Sequence, residues 1–248
     1  MAAPMTSFTS IEENAVDLSR LTLCAAAAGI SDGRFTSTEL TQAYFARIRR
    51  YDASVRAWVW IDEARALARA READRARRNG KVTGPLLGVP IAVKDVIYTE
   101  GIPTGMGSPI FDDFVPSHSA HCLDNLLAAG AYVQGKTVTA EFATRHPGPT
   151  TNPWNFEYTP GGSSSGSAAA VAADFTAGAS GTQTVGSIIR PAAYCGIVGY
   201  KPSFGLVSRF GVHQVSQTGY QVGVLRRTRG DAALLESSLA ANSRVSAP

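Results

Sequence analysis

Cysteine and histidine are scarce, at three and four residues in a chain of 248. Cys24, Cys122 and Cys195 are odd in number and far apart, and none belongs to a Cys-x-x-Cys pair. That spacing argues against a disulfide framework and for reduced thiols in a cytoplasmic setting. His118 and His121 lack a second ligand pair, so a surface loop is a better reading there than a metal site. Excess charge of one sign is also missing. A net charge of +3 with 17% charged residues gives no basis for a nucleic-acid partner. The densest basic stretch, Arg65 to Arg78, interleaves Glu72 and Asp74 at helical spacing and reads as a solvated helix face. No apolar run approaches the roughly 20 residues of a membrane-spanning helix, and the cluster Ala25 to Ala28 is short and interrupted. Met1 to Asn14 has no basic region followed by an apolar core, so no signal peptide is expected. The expectation is a cytoplasmic protein without a membrane or nucleic-acid partner.

What is present is enough apolar material, 44% of the chain, for a substantial core. Residues 1–80 read as an N-terminal helical region. Thr36 and Glu39 form a capping-box pair, and Leu40, Ala43, Tyr44 and Ile48 mark one apolar stripe. A second helix over roughly Asp62 to Arg78 stops at Asn79-Gly80. Residues 81–248 change texture. Gly88 to Val93 is a short apolar run, read as a buried strand ending at Lys94-Asp95. Leu123 to Ala129 looks helical and Ala131-Tyr-Val133 looks like the next strand. Helices alternating with short buried strands predict an α/β fold around a mixed β-sheet, with the N-terminal region packed on that core as one domain.

The most unusual stretch runs from Pro160 to Pro202. Pro160-Gly-Gly-Ser-Ser-Ser-Gly-Ser167 leads into a small-residue helix, Ala168 to Ala173, and then into Gly181-Thr-Gln-Thr-Val-Gly-Ser187. Such glycine turns allow close backbone approach, and their N–H groups can converge on an anion. Three patterns compete. Gly130 to Thr137 fits the phosphate-loop pattern, but a helix precedes it and strand formers lie inside it. Gly162-Ser-Ser164-Ser-Gly166 fits a nucleophile elbow, but Tyr158 to Gly161 is poor strand material, and Asp174 and His213 would have to complete a triad. The third pattern pairs Lys94, at a strand end, with the two serine loops. Serine needs a base, no histidine lies beside these loops, and a desolvated lysine can serve. An ion pair of Lys94 with Asp95 or another carboxylate is the competing structural reading.

Gly88-Val-Pro-Ile-Ala-Val-Lys-Asp95, Gly161-Gly-Ser-Ser-Ser-Gly-Ser-Ala168 and Gly186-Ser-Ile-Ile-Arg-Pro-Ala-Ala-Tyr-Cys-Gly196 closely resemble the amidase signature family. Val198 to Pro202 and Gly205 to Gly211 continue the match. The resemblance implies a mixed sheet covered by helices on both faces, and hydrolysis of a small-molecule carboxamide without metal or organic cofactor. It implies Ser187 as nucleophile, Lys94 as base, and Ser163, after a cis Gly162–Ser163 peptide, as the bridge that relays the proton. Backbone N–H groups around Thr184, Val185, Gly186 and Ser187 would hold the oxyanion, with Gly162, Ser164, Gln183 and Arg190 in support. A homodimer is compatible with it.

Four positions depart from the family's commoner wording. Serine stands at 165 for glycine, glutamine at 183 for aspartate and valine at 185 for glycine, while the arginine comes three residues after Ser187 instead of two. Family members usually continue well past the length of this chain. Two further readings therefore accompany the amidase: the glutamine-hydrolysing subunit of a tRNA-dependent amidotransferase, and a shortened, inactive relative.

Overall fold

The computed structural model describes residues 16–81 and 84–241. Helix α1 (Leu23–Ser31) and helix α2 (Ser37–Val55) lead into an edge strand, β1 (Trp58–Ile61), and helix α3 (Glu63–Arg78). Helix α2 begins where Thr36 Oγ1 accepts from Glu39 N at 3.1 Å and the Glu39 carboxylate accepts from Thr36 N at 2.7 Å. Helix α3 starts on Asp62, whose carboxylate accepts from Arg65 N at 2.9 Å, and runs out at Asn79-Gly80. Both caps satisfy donors that a helix start leaves without a partner.

Strand β2 (Pro90–Lys94), helix α4 (His121–Ala128) and strand β3 (Tyr132–Thr137) follow, then helix α5 (Ser165–Ala172) and strand β4 (Gly178–Gln183). The described chain closes with helix α6 (Ile189–Tyr194), strand β5 (Val198–Tyr200), strand β6 (Gln221–Arg226) and helix α7 (Arg229–Ala240). The six strands form one sheet in the order β1-β3-β2-β4-β6-β5. Strand β2 is parallel to β3 and β4, while the pairs β1–β3, β4–β6 and β5–β6 are antiparallel. The sheet is therefore mixed, as expected.

Side chains alternate across a strand, and β2 uses both faces. Ile91 and Val93 enter the larger core with Leu23, Leu126 and Leu235, from α1, α4 and α7. Ala92 turns the other way, to Ala168 and Val171 of α5 and Ala192 of α6. Helices thus cover both faces, and all five β2 residues are buried.

Two strands differ from the sequence expectation. Residues 58–61 lie in the stretch whose pattern is mainly helical, yet Trp-Val-Trp-Ile suits a pleated edge and pairs with β3. Strand β3 extends through Lys136 and Thr137, so the phosphate-loop pattern is extended sheet with no glycine cradle. Among the described residues, no helix is long and apolar enough to cross a membrane.

Candidate active site

Lys94 closes β2 and is fully buried. Its Nζ lies 2.8 Å from Ser163 Oγ, 2.8 Å from Thr182 Oγ1 and 3.5 Å from the Thr182 carbonyl. No carboxylate accompanies these contacts, and burial alone drives the ammonium well below its ordinary range. The competing ion pair with Asp95 does not form. Asp95 instead meets Lys136 of β3 at 3.4 Å, with both side chains buried. The Lys136 Nζ also donates to Ile97 O at 2.9 Å and to Thr104 Oγ1 at 2.6 Å.

Ser163 is fully buried, and the Gly162–Ser163 peptide is cis. The Ser163 carbonyl accepts from Ala140 N at 3.0 Å. Ser164 then ties this loop to the next: its N–H donates to Ser187 O at 3.2 Å, and its Oγ accepts from Thr182 N at 3.3 Å. The two serine loops are thereby held together over the ends of β2 and β4. Ser165 is buried beside them, its Oγ 3.4 Å from Val138 O.

The departures from the family wording have physical consequences here. Gln183 Oε1 accepts from Ile188 N at 2.8 Å and Ile189 N at 3.0 Å, the first donors of α6, and its Nε2 donates to Val185 O at 3.3 Å. A neutral amide thus braces the turn carrying Ser187 without an ionic partner. Arg190 points elsewhere, its Nε and Nη2 donating to Gly162 O at 3.0 and 2.6 Å. Val185 is 93% exposed. Among the described residues no backbone acceptor takes the N–H of Val185, Gly186 or Ser187, which leaves those donors free for a ligand. A cleft of about 220 Å³ opens beside the first loop, lined by Gly161, Gly162, Ser165, Arg190 and Tyr194 among others.

The nucleophile-elbow alternative is not assembled. Asp174 is engaged with Arg20, Arg47 and Arg227, and the His213 ring lies against Phe142. Sequence reasoning missed Thr182 and Tyr220. The Tyr220 hydroxyl donates to Thr182 Oγ1 at 2.8 Å, extending the polar chain from Ser163 through Lys94. Only the antiparallel register of β4 with β6 brings these two together, so no local pattern could have signalled them.

A protein-family model described as Amidase matches residues 39–246. A glutamyl-tRNA(Gln) amidotransferase subunit of Methylococcus capsulatus is 46% identical over 222 residues, covering 87% of this chain and 46% of the relative. Its counterpart from Streptomyces coelicolor is 44% identical over 230 residues, covering 90% and 46%. The native peptide amidase of Stenotrophomonas maltophilia superposes with a TM-score of 0.86 at 37% identity, covering 92% of this chain and 50% of that one. The chain spans about half the length of the relatives it matches.

Proposed function

This chain belongs to the amidase family, and on that footing we propose that it cleaves a small-molecule amide through an acyl-enzyme on Ser187. Neutral Lys94 takes the Ser163 proton as Ser163 takes that of Ser187, and Ser187 Oγ attacks the carbonyl carbon. The N–H groups of Thr184, Val185, Gly186 and Ser187 face the oxygen that gains charge. One such donor is typically worth about 10²–10³ in rate. As the C–N bond breaks, the proton returns along the same relay to the leaving amine. Water then repeats the cycle on the ester, releasing the acid and restoring Ser187.

The observation that carries this reading is a fully buried lysine, free of carboxylate, 2.8 Å from a serine hydroxyl on the loop joined to Ser187. An ion-paired structural lysine would need a counter-charge that Lys94 does not have. A fluorophosphonate probe tests the proposal. Labelling should vanish in Ser187→Ala and slow by about 10²–10⁴ in Lys94→Ala. Folded protein that takes no label would refute it and favour an inactive relative.

A second reading is the glutamine-hydrolysing subunit of a tRNA-dependent amidotransferase, favoured by the 44–46% identity to subunits of glutamyl-tRNA(Gln) amidotransferases. Glutamine hydrolysis that appears only on adding the other subunits of such an enzyme would select it over a free-standing amidase.

A further inference from the structure

A base at this position must stay uncharged among groups suited to holding its charge. An ammonium has three N–H donors, and Ser163 Oγ, Thr182 Oγ1 and Thr182 O offer three acceptors around Lys94 Nζ. Two of these acceptors already carry a second buried side chain, the Thr182 carbonyl taking Ser164 Oγ at 3.3 Å and the Thr182 hydroxyl, at the shorter distance, taking Tyr220. Tyr220, just before β6, is 1% exposed, and its phenol donates to Thr182 Oγ1 at 2.8 Å. A hydroxyl oxygen already accepting one hydrogen bond has one lone pair left, and is polarised toward donating its own proton.

We propose that Tyr220 is a positioning residue that weakens Thr182 as an acceptor for the Lys94 ammonium, so that the amine stays uncharged and free to take the Ser163 proton. This rests on the reading of Lys94 as base. The neighbouring charged and titratable groups are engaged elsewhere. Asp95 is paired with Lys136 of β3, and Arg190 of α6 is bound to Gly162 O. Arg226 lies at the far end of β6, level with Gly178. His213 packs on Phe142, and Cys195 Sγ contacts Pro160 O. Strands β2 and β4 and helix α5 add no further charged side chain to the site.

Titration of [ε-¹³C]lysine by NMR reads the Lys94 proton directly, whether or not the protein turns over a substrate. The sequence has four lysines, Lys81, Lys94, Lys136 and Lys201, so Lys94→Met assigns the signal. Tyr220→Phe should raise the Lys94 midpoint, and with it the acid limb of fluorophosphonate labelling, by roughly one pH unit, the scale of one hydrogen bond. Thr182→Val removes an acceptor and should lower both. Unmoved midpoints in folded Tyr220→Phe, or shifts of the same sign in the two variants, would overturn the proposal. If Tyr220→Phe does not fold, substituting 3-fluorotyrosine throughout strengthens the phenol as a donor and must lower the midpoint; no change overturns the proposal. Full labelling of Lys94→Met would refute the base reading itself, whatever Tyr220 does.

Discussion

Replacing Lys136 with methionine isolates the buried charge pair beside the site. The side chain keeps its length and apolar stem but leaves Asp95 buried, 1% exposed, without a counter-charge. Burial lowers the Lys136 ammonium to about 8 and raises the Asp95 carboxyl, while the charge of each opposes the shift of the other. At 3.4 Å and an effective dielectric of about 20, the attraction is about 5 kcal/mol, which desolvation of both groups offsets in part. Removing one partner of such a pair costs about 3–5 kcal/mol. Ile97 O and Thr104 Oγ1 lose a donor in the same step. Urea denaturation of the parent, Lys136→Met, Asp95→Asn and the double variant completes a thermodynamic cycle. The double variant should be more stable than the sum of the single losses implies, with a coupling of about 1–3 kcal/mol and an unchanged m-value. A Lys136→Met loss below about 1 kcal/mol, or additive single losses, would refute the reasoning.

Gly166→Ala should lower stability in urea by about 1–3 kcal/mol, because a Cβ there would collide with backbone atoms of Ala57 and Val138, which cannot swing aside. A loss below about 0.5 kcal/mol would show that α5 can lift from the sheet. Glu236 is raised to about 7 by burial, with Arg226 opposing. The folded protein therefore holds that proton more tightly than the unfolded chain, and stability should fall as pH rises from about 4.5 to about 7. Thermal melts of Glu236→Gln should flatten that fall and give the higher Tm above about pH 7. Identical pH profiles would contradict the assignment.

The elements legible in the sequence are those whose cause is local. The Thr36–Glu39 box, the Asp62 start of α3 and its Asn79-Gly80 stop depend on residues close by in the chain, and each appears where the pattern placed it. Strand β2 was readable because burial on both faces leaves a continuous apolar run. The residues alone pointed to Lys94 and the two serine loops, the resemblance to the amidase signature family picked out Ser163 and Ser187 within them, and the fold brings those loops together. What could not be read depends on distant pairing. Asp95 prefers Lys136, far along the chain, because β2 and β3 run parallel in register, whereas Lys94 and Asp95 are chain neighbours that diverge. Tyr220 reaches Thr182 across 38 positions for the same kind of reason. Trp58 to Ile61 could pass for an apolar strand on its own residues, but its place as the edge beside β3 is absent from the local pattern.

Helix α5 is built from serine, glycine, alanine and one valine, and seven of its eight residues are buried. Its closeness to the sheet sets a gauge between two layers, and any larger side chain would push them apart. On the proposed function, the wording of this stretch therefore answers to two demands, the reaction and the gap it has to fit. A relative without that activity would still be held to the same small residues by packing alone. Diagnosing such a relative would depend on Lys94, Thr182 and Ser187, whose side chains the gauge does not dictate.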